Sequence, residues 1–468
     1  MYRLHEIAAR TPARRERHID LLRAVAIGAV VVGHWLLIVA EPAAGGGLRG
    51  YSALARLEWA HPLTWLFQVM PVFFMVGGYA NAASLRARYR HAAGGAPGGT
   101  ASRDAVTGWL LDRSARLVYP TAVLLAVLGA GAVAARLAGA DRMQIGTAVW
   151  LATLPLWFLI AYLVVVFLTP VTYAAHRRAG LAVPLLLLLP VVAGDVLRLR
   201  YGQEVYGYGN FLFAWLAIHQ VGFSWQDGRL PARPRVGVPL LLGGLAALVL
   251  LTVAGPYPVS MVSVPGAAVQ NPSPPSLALV ALATAQLGLA LLLRNRSERW
   301  LRHPRPWLVV VAVNTVILTL FLWHMVAAVL VTVGLYLAGW LPAPPVQSAD
   351  WLWWKIPWVA LLAVVLAGLV ALFGRVEVAA AAPARRRAVV VAVPAAAGTA
   401  TTTVGCLAVV SGLLWQAVAG DGYHGPFGMP TGAVSLVLAG TAVLWLARAR
   451  PSYSAPAGGR VGRRARPR

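Results

Sequence analysis

Long apolar runs separated by short polar breaks follow one another along the whole chain. Runs nearly free of charge, and long enough to cross roughly 30 Å of hydrocarbon, lie at about 21–40, 63–85, 110–135, 147–169, 181–197 and 209–224. Six more follow at about 236–254, 275–293, 308–338, 356–373, 388–418 and 430–447. The pattern predicts an all-α, polytopic helical membrane protein with about twelve transmembrane helices. Several runs contain Gly or Pro, which helices in lipid tolerate when neighbours satisfy the freed backbone groups. The 209–224 run is the shortest and carries His219 and Gln220. The 308–338 and 388–418 runs are long enough to tilt or to project beyond the bilayer.

The polar breaks set an orientation. If the N-terminus is cytoplasmic, alternate breaks should be rich in Lys and Arg. Counted this way, 33 of the 40 Lys+Arg fall inside, and only Arg49, Arg56, Arg136, Arg142, Arg198, Arg200 and Lys355 fall outside. An error of one span would reverse every later break and spoil the tally. The expectation is therefore twelve spans with N- and C-termini cytoplasmic, in a bacterial cell membrane and in contact with its lipids. The formal charge of +25 then reads as attraction to an anionic leaflet, and no nucleic-acid partner is expected. A basic flank and trailing small residues give the first run some likeness to a signal peptide. Its near-full spanning length and mid-run histidine favour retention.

Composition closes other routes. With 59% apolar and 12% charged residues, the chain has too little polar cover for a water-soluble enzyme. It has far too much apolar content for disorder. Its one cysteine, Cys406, excludes an internal disulfide and a thiolate metal cluster. No phosphate-binding Gly loop, HExxH pair or nucleophile elbow is present, so neither a metal site nor a covalent acyl-enzyme is indicated. The stretches 94–99 and 379–397 read as linkers. The second divides a core, 1–375, from a two-helix extension, 376–448, and a basic, disordered tail, 449–468. No internal repeat of the transporter kind stands out.

Ionisable residues inside the membrane carry the functional information. Arg23 and His34 are eleven residues apart, about 1100° of rotation, so they share a helix face about 16 Å apart along the axis. An imidazole at half depth could take a proton from a hydroxyl, and Gly33 lets a chain or ligand come close. The bland alternative is a hydrogen bond across the bundle. His324 lies at a similar depth in its run, with Asn314 ten residues earlier on the same predicted helix and to one side. His219 is nearer the cytoplasmic end, beside Trp215 and Trp225, and Asp195 near the outer end is expected to be wetted. Arg113 and Arg116, one turn apart at the cytoplasmic start of the third run, suit phosphate oxygens, although plain positive-inside anchoring accounts for them equally. Asp20 and Asp112 read as ion-pair partners. Pro71 in mid-run predicts a kink, with Gly77 and Gly78 allowing close packing or a groove.

These residues fall into motifs. RERHIDLLRAVAIGAVVVGHW at 15–35, PVFFMVGGYANAASLRAR at 71–88, RSARLVYP at 113–120 and NTVILTLFLWHM at 314–325 together resemble the membrane acyltransferase-3 family, integral-membrane O-acyltransferases of cell-surface sugars and secreted small molecules. The resemblance covers about 1–375. It implies a ten-helix acyltransferase-like core plus the two extra helices, with acyl-CoA (acetyl-CoA in the simplest case) as co-substrate and no tightly bound cofactor. The acceptor would be a hydroxyl of a cell-surface glycan, lipid-linked sugar or secreted small molecule. By the same resemblance His34 would be the essential base, with Arg23 its partner, and Arg113 and Arg116 would meet donor phosphates. His324, Asn314 or a backbone N–H are the candidates for the oxyanion. A twelve-helix transporter or flippase, with central histidines relaying protons, is the competing class.

Overall fold

The computed structural model describes residues 15–43, 47–93, 99–381, 395–420, 425 and 427–448 of the chain. The linker 94–99, most of 379–397 with Arg385 to Arg387, and the tail 449–468 lie largely outside the described residues. What is described is almost entirely helical. Among the described residues, eleven helices are long and apolar enough to cross a membrane, which makes this a multi-pass membrane protein. The run at 209–224 forms a helix of only 17 residues, Asn210–Gln226 (α8), that buries Trp215, His219, Gln220 and Phe223 among its neighbours.

The first described helix, α1 (Arg17–Leu37), runs straight into an antiparallel hairpin of β1 (Ile38–Pro42) and β2 (Leu48–Ser52), which the apolar pattern does not announce. Lys355 Nζ donates to Ile38 O at 2.8 Å, and Leu48 N donates to Gln144 Oε1 at 2.9 Å, so the hairpin is tied down from two sides.

Three predicted runs break. The 63–85 run divides into α2 (Thr64–Phe67) and α3 (Met70–Ala93), so Pro71 lies in the first turn of α3 and not at a mid-span kink. That position suits proline, whose missing N–H would have no partner there. Gln68 fills the gap: its Nε2 donates to Met261 O at 2.6 Å and its Oε1 accepts from Met70 N at 3.3 Å. The 147–169 run resolves into a short α5 (Arg142–Thr153) and α6 (Leu156–Ala179), with Pro155 at the break. The 308–338 run is α11 (Pro304–Thr315) and α12 (Ile317–Leu337), with Val316 between them out of helical geometry. Asn314 and His324 are therefore on different helices.

Helices approach closely where residues are small. A side chain at Gly78 would run into the carbonyl of His219, and one at Gly222 into that of Met75, so α3 and α8 touch backbone to backbone. The remaining long helices are α4 (Gly99–Leu137), α7 (Ala182–Tyr201), α9 (Pro234–Val249), α10 (Leu277–Trp300) and α13 (Ala349–Ala381). Residue 375 falls inside α13, which continues without interruption to Ala381. Beyond it, α14 (Ala395–Ala419) and α15 (Thr431–Arg448) pack on each other and against α4 and α6.

Ion pairs gather at the arginine-rich end of the bundle. Arg294 forks onto Glu16 at 2.6 and 2.9 Å, and Arg15 Nε donates to Asp20 at 2.6 Å. Asp112 takes both Arg88 and Arg448. Asp195, at the opposite end, is fully buried and not wetted. It accepts from Asn210 Nδ2 at 2.9 Å, Tyr257 OH at 2.7 Å and Leu277 N at 2.7 Å, with Arg198 Nε 2.9 Å away. A buried carboxylate needs this many donors, and here they hold the 254–276 connection onto the bundle.

Candidate active site

The last turn of α1 brings His34 against His324 of α12, with 3.1 Å between His34 Nδ1 and His324 Nε2. The rings stack with centroids 5.1 Å apart and planes 30° apart. His324 Nδ1 lies 2.7 Å from Phe321 O. A carbonyl only accepts, so this nitrogen carries the proton, and in a neutral ring Nε2 is then the acceptor. With both rings neutral, His34 Nδ1 donates to it, and the Val30 carbonyl one turn back is a further acceptor for the His34 ring; this leaves the lone pair on His34 Nε2. The pair thus has a direction: proton toward the Phe321 carbonyl, basic nitrogen outward.

Aromatic side chains fix the pair. Trp35 Nε1 donates to His324 O at 3.0 Å, and Trp358 Nε1 to Trp35 O at 3.1 Å. His324 is fully buried, whereas His34 keeps part of its surface open. Phe67 lies over Gly33, so the space that glycine provides is partly taken by an aromatic ring.

The other residues expected at the site lie closer to the arginine-rich end. Arg23 makes no hydrogen bond to His34. It sits about 16 Å further along the same helix, within electrostatic range of Arg113 and of Glu377. It has no carboxylate at ion-pair distance among the described residues. Arg113 uses Nε to donate to Asn81 Oδ1 at 2.9 Å, and Asn81 Nδ2 in turn meets His219 Nε2 at 3.1 Å. Its terminal guanidinium nitrogens make no protein hydrogen bond among the described residues, while Arg116, one turn on, is exposed. Asn314 is committed elsewhere: Nδ2 donates to Asp20 O at 2.8 Å and Val310 O at 2.9 Å. It reinforces the meeting of α11 with α1 and does not face the histidine pair.

Sequence reading missed two parts of this arrangement. The Phe321 carbonyl, which sets the tautomer, has no side-chain signature at all. Glu377 had one, an acidic residue at the end of an apolar run, but it fell just beyond the predicted span. No three His, Cys, Asp or Glu side chains among the described residues converge as a metal would require.

The model of an acyltransferase domain family, acyltransferase-3, matches residues 16–376. The chain belongs to that family, and fold and family together make it a membrane acyltransferase. No curated protein and no solved structure matches it. The match begins at the first helix and ends inside α13, leaving α14 and α15 outside it.

Proposed function

We propose that the chain is an acyl-CoA-dependent O-acyltransferase that moves an acyl group, in the simplest case acetyl, to a hydroxyl of a cell-surface glycan, lipid-linked sugar or secreted small molecule. The observation that carries this is the directed His34–His324 pair, because an O-acyl transfer without a covalent intermediate needs one positioned base. His34 Nε2 takes the proton of the acceptor hydroxyl as its oxygen attacks the thioester carbonyl. The tetrahedral intermediate collapses, the carbon–sulfur bond breaks, and the departing thiolate recovers the proton from His34. His324, already committed to the Phe321 carbonyl, keeps His34 in the tautomer that makes this possible.

The donor enters from the arginine-rich, cytoplasmic side of a bacterial plasma membrane. The free fork of Arg113 and the exposed Arg116 are suited to its phosphates, and Arg23 lies between them and the histidines as the electrostatic lining of the path. A purified, detergent-solubilised protein should bind acyl-CoA and lose its thioester slowly to water. Arg116→Ala should weaken binding, and His34→Ala should abolish thioester loss with binding intact. If folded protein shows no acyl-CoA binding, the donor assignment fails and proton-coupled transport takes its place.

A further inference from the structure

Glu377 is an acidic side chain in α13, where a membrane-spanning helix rarely carries one without a purpose. Among the described residues no arginine or lysine stands at ion-pair distance from it. Both of its oxygens go instead to the first turn of α12. Oε1 accepts from Leu318 N at 3.0 Å, and Oε2 accepts from Thr319 N at 2.8 Å and Thr319 Oγ1 at 2.7 Å.

The first N–H groups of any helix lack partners within the helix. The usual remedy is a Ser, Thr, Asp or Asn just before it, but the residue in that position here is Val316, which has no side-chain acceptor. The cap therefore comes from another helix, 58 and 59 positions further along the chain. A carboxylate is the best group for the place, since it satisfies the orphan donors and opposes the positive end of the helix dipole.

What hangs on that cap is the alignment of the histidine pair. Phe321 follows Thr319 by two residues and His324 by five. A slip of one residue at the start of α12 would rotate everything after it by about 100°. That would carry the Phe321 carbonyl and the His324 ring away from His34. The break at Val316 removes the rigid continuity that would otherwise hold α12 in register with α11, so the clamp from α13 supplies what the backbone gave up.

We propose that Glu377 is a positioning residue for acyl transfer: by capping the broken start of α12 it aims His324 at His34. This rests on the reading of those histidines as the catalytic pair. It also means that the α12 N-terminus is already filled and is not the donor's phosphate site.

The test uses the full chain, with three readouts: acetyl-CoA binding, thioester turnover, and the ring nitrogen-15 signals of His324, assigned by difference against His324→Gln. Glu377→Ala should lower turnover by about tenfold or more, part of the ~10²–10⁴ that a positioned base supplies, with donor affinity unchanged. The His324 signals should shift. Glu377→Gln should restore part of the rate, because its amide oxygen can still accept from Thr319 while its NH2 cannot accept from Leu318 N. Thr319→Val, which removes one of the three bonds, should give a smaller loss and keeps the test available if Glu377→Ala does not fold. Adding Glu377→Ala to His324→Ala should cost little more than His324→Ala alone, because the two act through one element. The proposal is overturned if Glu377→Ala leaves turnover and the His324 signals at wild type, or if its loss multiplies independently with that of His324→Ala. Wild-type turnover in His34→Ala would instead sink the catalytic assignment, while the ring signals would still report whether Glu377 aims His324.

Discussion

His324 and His219 look alike in the sequence, each a lone imidazole among aromatic and aliphatic residues, and both are fully buried in the fold. They sit in opposite kinds of network. His324 faces His34, a residue that keeps part of its surface open, and the hydrogen bonds run so that the free lone pair ends up there. His219 faces Asn81, which holds Arg113, and its Nδ1 has no partner among the described residues. One network ends on a base and the other on a cation. Burial alone therefore does not tell the two histidines apart; what the chain of hydrogen bonds presents at its open end does.

The largest expected effect separates the two directly. His324→Ala should lower turnover on the order of 10³-fold with acyl-CoA binding intact, because a base without its tautomer-fixing partner is mostly in the wrong form. Steady-state turnover alongside donor titration checks it, and a loss of donor affinity as large as the loss of rate would break the distinction. Next comes a control remote from both networks. Asp195→Ala leaves Arg198 buried without its carboxylate and should cost about 3 kcal/mol of stability, read by thermal unfolding in detergent. Turnover per folded molecule should stay near wild type.

His219→Ala should have a smaller and different signature. It strands the Asn81 amide, for about 1–3 kcal/mol, and loosens Arg113, so donor affinity should fall while turnover at saturating donor changes little. An unchanged affinity would mean that the Asn81–His219 pair does not serve Arg113. The smallest effect is a pH dependence at the end of the bundle away from the arginines. Burial, with the hydrogen bond to Asp195, raises the Tyr257 phenol above its ordinary range. A raised folded value favours the neutral form, so its contribution to stability is complete below the unfolded pKa of about 10. That contribution is lost as the pH climbs from there toward the folded value. Tyr257→Phe should flatten that alkaline limb of the unfolding midpoint, and an unaltered limb would assign it to other groups.

Much of the candidate site was legible in advance as residues needing a reason, and the limits were physical. Arg23, His34, Arg113 and Arg116 stand out because charge inside an apolar run is costly and because helix periodicity says which residues share a face. Periodicity says nothing of what lies opposite that face. That His34 meets His324, that Asn314 turns to the Asp20 carbonyl, and that Asp195 accepts from Asn210, Tyr257 and Leu277 N all depend on segments distant in sequence. The run 308–338 gave only a weak local sign of its break, the polar Asn314 and Thr315 just before Val316, because apolar residues resume at once on the far side.

By itself, then, the sequence determined that this is a membrane-spanning helical protein, where most of its helices lie, which family it belongs to and which residues are costly enough to need a reason. Those properties follow from local composition, since transfer into hydrocarbon is a property of each segment on its own. The tertiary structure alone decided where helices break, which buried histidine faces a second one, and that a glutamate of α13 caps α12. These are pairings between distant segments, and in a bilayer they are set by close packing and by the need of each buried polar group for a partner, neither of which is written in any one stretch of chain.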